Sequence, residues 1–246
     1  MEKGDVKERT PLTSPLNSPS PVSLESPNSV MTRWDVLVEK IRVNDLEDLK
    51  RDPVIKMRYR AVRKALLDSN SSINERVLKR LNWDETELRN LNEVVYPTDE
   101  DKIRACFSRQ DFILVSANDF PYKFEANVVH LLIWSKIFIP LYINDNTDQV
   151  SPDGGKQELP EMNMEMKARI EYFLSENLNK LGMEEERDYV WFINHSRLQS
   201  IRSLSHIHLI VRFRDIPAIE NDPRVTEAAE ERMTYFINGG VFGPVP

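Results

Sequence analysis

The residues best suited to chemistry are concentrated in one stretch, Asp188–Arg212, which reads DYVWFINHSRLQSIRSLSHIHLIVR. His206 and His208 stand two apart in an apolar run. Side chains alternate faces along a strand, so both imidazoles share one face while Ile207 and Leu209 take the other. His195 lies in the polar turn just before, with Asn194, Arg197 and Ser200. Such a histidine pair can carry protons or attack an electrophile. With Arg197 or Arg202 it suits a phosphate or another anionic group. It could also hold a metal, given a third ligand from His130 or His195; nothing in the spacing requires one, and no metal is assigned. The plain alternative is a pair of structural histidines on a half-buried strand, one of them orienting the Asn194–Ser200 turn.

A second constellation is Asn118-Asp119-Phe120-Pro121-Tyr122, followed by His130, Trp134 and Lys136 in the apolar run Val128–Pro140. Asn118 and Asp119 can hydrogen-bond sugar hydroxyls while Tyr122 or Trp134 stacks on a ring. Asn-Asp before a proline is equally an ordinary turn device. The even spacing of His130, Trp134 and Lys136 puts all three on one strand face, although His130 and Lys136 are then about 20 Å apart.

The elements that must position these groups follow from periodicity and capping signals. Thr32 is placed to cap a helix carrying Trp34, Leu37, Val38 and Ile41. Pro53 suits the first turn of a second helix, with Val54, Met57, Tyr59, Val62 and Leu66 available to its buried side. Short helices are expected over Asn74–Leu81 and from a cap at Asp84 to Leu91. Phe112–Ser116 and Val128–Pro140 read as strands, and 144–160 as a mobile polar loop. Met162–Leu181 is the clearest helix, closed by Gly182. Strands over Tyr189–Ile193 and His206–Phe213 precede a last helix opened by Asp222-Pro223. The implied fold class is α+β: a small, mainly antiparallel sheet packed with helices, with a helical N-terminal half. Residues 31–246 are expected to form a single domain.

Residues 1–30 are rich in Pro and Ser and lack periodicity, so a disordered tail is expected there. Five Ser/Thr-Pro steps, at Thr10, Ser14, Ser18, Ser20 and Ser26, suit a proline-directed kinase acting on the tail. A formal charge of −7 with mixed signs argues against nucleic acid or an anionic membrane as the main partner. Cys106 is the single cysteine, so neither an internal disulfide nor a thiolate zinc cluster can form. No apolar run approaches the ~18 residues of a membrane span. These features together point to the cytoplasm. Seven glycines and no glycine-rich phosphate loop disfavour Rossmann and P-loop cofactor sites, and no cofactor is expected.

Two resemblances add to this. The string Leu204-Ser205-His206-Ile207-His208-Leu209-Ile210, preceded by Gln199-Ser200-Ile201, resembles the signature strand of the histidine-triad nucleotide hydrolases and transferases. By that likeness His206 is the nucleophile that attacks phosphorus and His208 its neighbour. Leu204 stands where the first histidine of the pattern would be, and the spacing from Gln199 is about two residues longer. Over about residues 31–236 the ordered motifs Trp34, Arg51-Asp52-Pro53, Leu81-Asn82-Trp83, Asn118–Tyr122, His130–Lys136 and Trp191–His208 are similar to the fungal N-acetylglucosamine-induced protein family, with Phe120 where that family usually has Trp. That resemblance implies a cytoplasmic fungal protein with a part in amino-sugar metabolism, and supplies no reaction or catalytic residues.

Two functions are therefore carried forward. In one, a phosphorylated or nucleotide-linked sugar binds between the two constellations, with His206, His208 and His130 as candidate catalytic groups, Arg197 neutralising phosphate, and Asn118 with Asp119 choosing hydroxyls. In the other, the chain is a non-catalytic adaptor acting through protein partners and a phosphorylatable tail.

Overall fold

The computed structural model describes residues 31–143, 145 and 159–246. The expected tail and most of the 144–160 loop lie outside the described residues. Among the described residues seven helices surround a four-stranded antiparallel sheet, so the fold is α+β.

The first five helices precede the sheet: α1 (Trp34–Arg42), α2 (Pro53–Asp68), α3 (Ile73–Leu81), α4 (Glu85–Asn90) and α5 (Asp99–Ala105). Their starts are written in the sequence. Asp52 accepts the Val54 N–H with Pro53 in the first turn of α2, and Ser72 with Glu75 makes a complete capping box on α3. Asp84 caps α4, and Thr98 caps α5. Thr32 does not cap α1. It bridges to Phe124 instead, its N–H donating to the Lys123 carbonyl at 3.0 Å. The Trp34 N–H meets the Glu125 carboxylate at 2.9 Å, which ties the start of α1 to the connection ahead of the second strand.

Helix α2 departs from expectation in its rotation. Val54 and Met57 are exposed, and the half-buried stripe is Ile55, Tyr59, Val62 and Leu66. Tyr59 sets this rotation by packing edge-on against Phe120, 5.1 Å between ring centres. No residue of α2 is fully buried.

Strands β1 (Ile113–Ala117) and β2 (Val128–Ser135) form an antiparallel pair, and a short ladder of β3 (Tyr142–Ile143) with β4 (Glu161–Met162) follows. Helix α6 (Met164–Leu178) leads through a short tight turn to Gly182, whose φ of +70° suits glycine. Strands β5 (Tyr189–Phe192) and β6 (Ser205–Arg212) and helix α7 (Pro223–Asn238) complete the chain. The sheet order is β1-β2-β6-β5. Strand β2 stops at Ser135, five residues earlier than its apolar pattern runs. The Ser135 hydroxyl takes the Ile137 N–H, and Asn92 takes the Phe138 N–H, so the chain turns off the sheet there.

Parity divides the sheet. Val129, Leu131 and Ile133 of β2, Ile207, Leu209 and Val211 of β6, and Tyr189 and Trp191 of β5 join the main core beneath α6 and α7. Cys106 sits in that core, where burial pushes its thiol up to about 12 and makes it inert. The opposite face carries two smaller apolar clusters. One is built on Trp34, Leu37, Val190, Phe192 and Ile210, the other on Leu81, Leu88, Leu132, Trp134 and Leu204. The histidines stand between them.

Candidate functional site

Strand register assembles the histidines. Leu132 lies opposite His208, Trp134 opposite His206, and His130 opposite Ile210, so His130 and His208 are diagonal neighbours on the minor face. Their rings meet with His130 Nε2 2.8 Å from His208 Nδ1. Phe192, directly across from His208, stacks flat on it at 4.7 Å, and Trp134 leans on His206 at the same distance. Tyr122 covers the other side of His130 at 5.4 Å.

A proton arrangement that satisfies this chain runs from the Tyr122 N–H to His130 Nδ1 (3.4 Å), from His130 Nε2–H to His208 Nδ1, and from His208 Nε2–H to the Asn194 amide at 3.1 Å. The last step needs the amide oxygen of Asn194 to face the ring, since oxygen and nitrogen of an amide exchange by a half-turn. Without that half-turn, Asn194 Oδ1 is buried with no partner among the described residues. Burial, reinforced by Arg51 and then His206, drives the His130 pKa down to about 3. Burial first and the neighbouring His130 second hold His208 well below the ordinary histidine range. Both rings are therefore neutral near pH 7.

His206 is held differently. Its Nδ1 lies 2.9 Å from the Leu204 carbonyl, which can only accept, so Nδ1 carries the proton. Burial keeps the ring neutral. Nε2 then holds a free lone pair beside a cleft lined by Asn118, Asp119, Trp134, Asn194, Ser200 and His208. Such a nitrogen can take a proton or attack an electrophile.

Three arginines that the sequence reading passed over also line this cleft: Arg51, Arg76 and Arg80. Arg51 donates through Nε to the Phe120 carbonyl at 2.9 Å and lies between the rings of Tyr59 and Tyr122, at 5.1 and 5.3 Å. Arg80 meets Asp119 at 2.6 Å, and Arg76 approaches the same carboxylate at 4.0 Å. Asn118 shapes the turn that presents Asp119, its Oδ1 accepting the Phe120 N–H at 2.9 Å. The available signal was spacing: Arg76 and Arg80 are four apart on α3, hence on one helix face, and a capping box fixes where that helix begins.

Other candidates lie elsewhere. Tyr122 flanks a neighbouring groove on the far side of His130. Lys136, beyond the end of β2, pairs with Glu87 at 2.7 Å beside the cluster that holds Trp83 and Trp134, and it lines a neighbouring groove and not the cleft. Arg197 reaches Glu47 at 2.7 Å, pointing away from the cleft, and Arg202 lines a separate groove with Lys136. His195 is buried near Tyr142, with its Nε2 unpartnered among the described residues; burial lowers its pKa. Among the described residues no group of three or more His, Cys, Asp or Glu is set to hold a metal. No helix among them is long and apolar enough to cross a membrane.

The model of a protein family of unknown function, DUF3605, matches residues 33–212, which take in every element from α1 to β6. The chain belongs to this family. An uncharacterized protein of Saccharomyces cerevisiae is 29% identical over 202 residues, covering 82% of this chain and 85% of the relative. A Candida albicans protein named N-acetylglucosamine-induced protein 1 is 33% identical over 187 residues, 73% of this chain and 67% of the relative. Among solved structures of similar fold is the crystal structure of HTC1, with a TM-score of 0.56 and 25% identity, covering 87% of this chain and 99% of that one. Both relatives are fungal proteins, and the cleft-forming strands β2 and β6 lie inside the region that the family model matches.

Proposed function

We propose that this DUF3605 member binds a phosphorylated or nucleotide-linked amino sugar in the His206 cleft, as part of N-acetylglucosamine metabolism or the response to it. The observation that carries the reading is that Arg51, Arg76 and Arg80 line the same cleft as His206, whose Nδ1 is occupied by the Leu204 carbonyl. Guanidinium groups match phosphate oxygens in charge and geometry. Asn118, Asp119 and Ser200 supply polar groups of the kind that orient sugar hydroxyls, and Trp134 offers a ring face. The Candida relative's name supports the amino-sugar assignment. Whether His206 turns the ligand over as base or nucleophile is a second step that binding does not require. The cytoplasm is the compartment in which such sugar phosphates would be met.

A thermal-shift panel on the full chain tests this, with N-acetylglucosamine, its phosphates, UDP-N-acetylglucosamine, simple nucleotides and zinc. A ligand at 100 times its dissociation constant stabilises the fold by about 2.7 kcal/mol. The expected result is a selective shift that disappears in Arg80→Ala and in His206→Ala. A shift that survives both substitutions sinks the assignment to this cleft.

A second reading, an adaptor engaging protein partners, is favoured by α2, which fully buries no residue and exposes Val54, Met57 and Leu67. A flat ligand panel together with partners lost on Met57→Glu would replace the first reading with this one. Phosphorylation of the Ser/Thr-Pro segment by a kinase belongs to that reading.

A further inference from the structure

We propose that the cleft takes a terminal phosphomonoester end-on, as its dianion, and that Asp119 is its resident stand-in, a carboxylate that the phosphate displaces from Arg80 and Arg76. This rests on the reading of the cleft as a phosphate site and goes further by choosing between phosphorylated and nucleotide-linked sugars.

Size makes the first argument. The cavity is about 80 Å³, smaller than the ~150 Å³ of a cavity that encloses one benzene molecule. A phosphoryl group with its ester oxygen is five heavy atoms. A pyrophosphate esterified at both ends has about twice that number.

Charge makes the second. Arg51, Arg76 and Arg80 bring three positive charges and Asp119 one negative, while His206 and His208 are held neutral. With Asp119 in place the lining nets two positive charges, which a monoester dianion answers at a single phosphorus, whereas a pyrophosphate diester spreads its two charges over two. The carboxylate is already where an anion belongs, 2.6 Å from Arg80 and 4.0 Å from Arg76. Its side chain and those of Arg80 and Arg76 keep about a third of their surface in contact with solvent, at 33%, 29% and 30%. A partly solvated pair of this kind exchanges partners readily. Arg51 does not depend on Asp119: Phe120 and two tyrosine rings hold it, and its terminal nitrogens bond nothing among the described residues. It is the arginine open to an arriving phosphate before the Asp119 pair opens.

The test uses calorimetry on the full chain, with inorganic phosphate, N-acetylglucosamine 6-phosphate and UDP-N-acetylglucosamine as probes, on wild type, Asp119→Asn, Asp119→Ser and Arg80→Ala. Removing the competing carboxylate should tighten inorganic phosphate by about 5-fold to 10-fold in both Asp119 variants. Unchanged or weaker binding in the two variants overturns the stand-in role. The monoester should bind wild type at least about 10-fold tighter than UDP-N-acetylglucosamine; equal or reversed affinities overturn the monoester class. A third pattern is separate from both: if no phosphate probe binds wild type and Arg80→Ala changes nothing, the phosphate-site reading itself falls.

Discussion

The two faces of the four-stranded sheet are made by the same strands and do opposite work. On β6, Ile207, Leu209 and Val211 are fully buried under α6 and α7. The alternate residues His206, His208 and Arg212 face the minor side, where clusters around α1 and around α3 and α4 leave a cleft between them. One face is filled mainly with aliphatic and aromatic groups, its polar groups Ser135 and Ser205 serving at the strand ends to hold the chain that leaves β2. The other interrupts its apolar packing with imidazoles, amides and guanidinium groups, each needing a partner in low dielectric. Stability and candidate chemistry are thus separated by parity, one residue apart.

The largest expected effect tests that separation on neighbouring positions. Leu209→Ala empties a site of 0% exposure in the main core and should cost about 2–5 kcal/mol in urea unfolding. His206→Ala, on a half-buried side chain of the minor face, should cost no more than about 1–2 kcal/mol, the value of one backbone hydrogen bond and partial packing. Equal losses at the two positions would break the comparison and make the minor face a second structural core.

The next effect comes from pH. His130 has an ordinary pKa of 6.5 and a folded value of about 3, so between those values the unfolded chain binds more protons than the folded one. Stability must fall as pH falls through that window, by up to about 1.4 kcal/mol per pH unit for each histidine held neutral. His208 is shifted in the same direction and adds to the slope. From pH 7 to 5.5 most carboxylates do not yet titrate, so the slope there belongs to the histidines. Unfolding midpoints of wild type and His130→Gln over that range should show a shallower dependence in the variant. Identical slopes would mean that the His130–His208 pair is open to water and not sealed in the minor face.

Much of the frame was readable because its signals are local. Pro53 at the start of α2, the openings at Asp84 and Asp222, the stripe of α6 and the alternation of β6 each depend on residues within one or two turns, and each element lies close to where these signals put it. The pairing of His206 with His208 on one face followed from strand parity alone. Arg51, Arg76 and Arg80 were not readable as cleft residues, because nothing local distinguishes an arginine turned toward a sheet 37 or more residues away from one facing solvent; the contacts that decide it are Arg51 to Phe120 and Arg80 to Ala117. The end of β2 was hidden for a related reason. The apolar run Val128–Pro140 continues past Ser135, but the Ser135 hydroxyl and Asn92 draw the chain off the sheet, and Lys136 lines a groove with Arg202 instead of the cleft. Thr32 had the right chemistry for a cap and lost it to a backbone bridge with Phe124.

The smallest expected effect fixes where the functional face ends. Lys136 lies one residue beyond β2, its ammonium 2.7 Å from Glu87 and 5.9 Å from the Trp83 ring centre. It is the last of the even-spaced series begun by His130 and Trp134, and the first to leave the sheet. Lys136→Ala removes one surface-edge ion pair and part of a cation–ring contact, which should cost about 0.5–1 kcal/mol in unfolding. The phosphate-induced thermal shift should be unchanged, because Lys136 lines the groove with Arg202 and not the cleft with Arg51, Arg76 and Arg80. Loss of that shift in Lys136→Ala would carry the ligand past Trp134 into the adjoining groove lined by Arg202. The minor face would then be one long binding surface, and the boundary at Ser135 only a feature of the backbone.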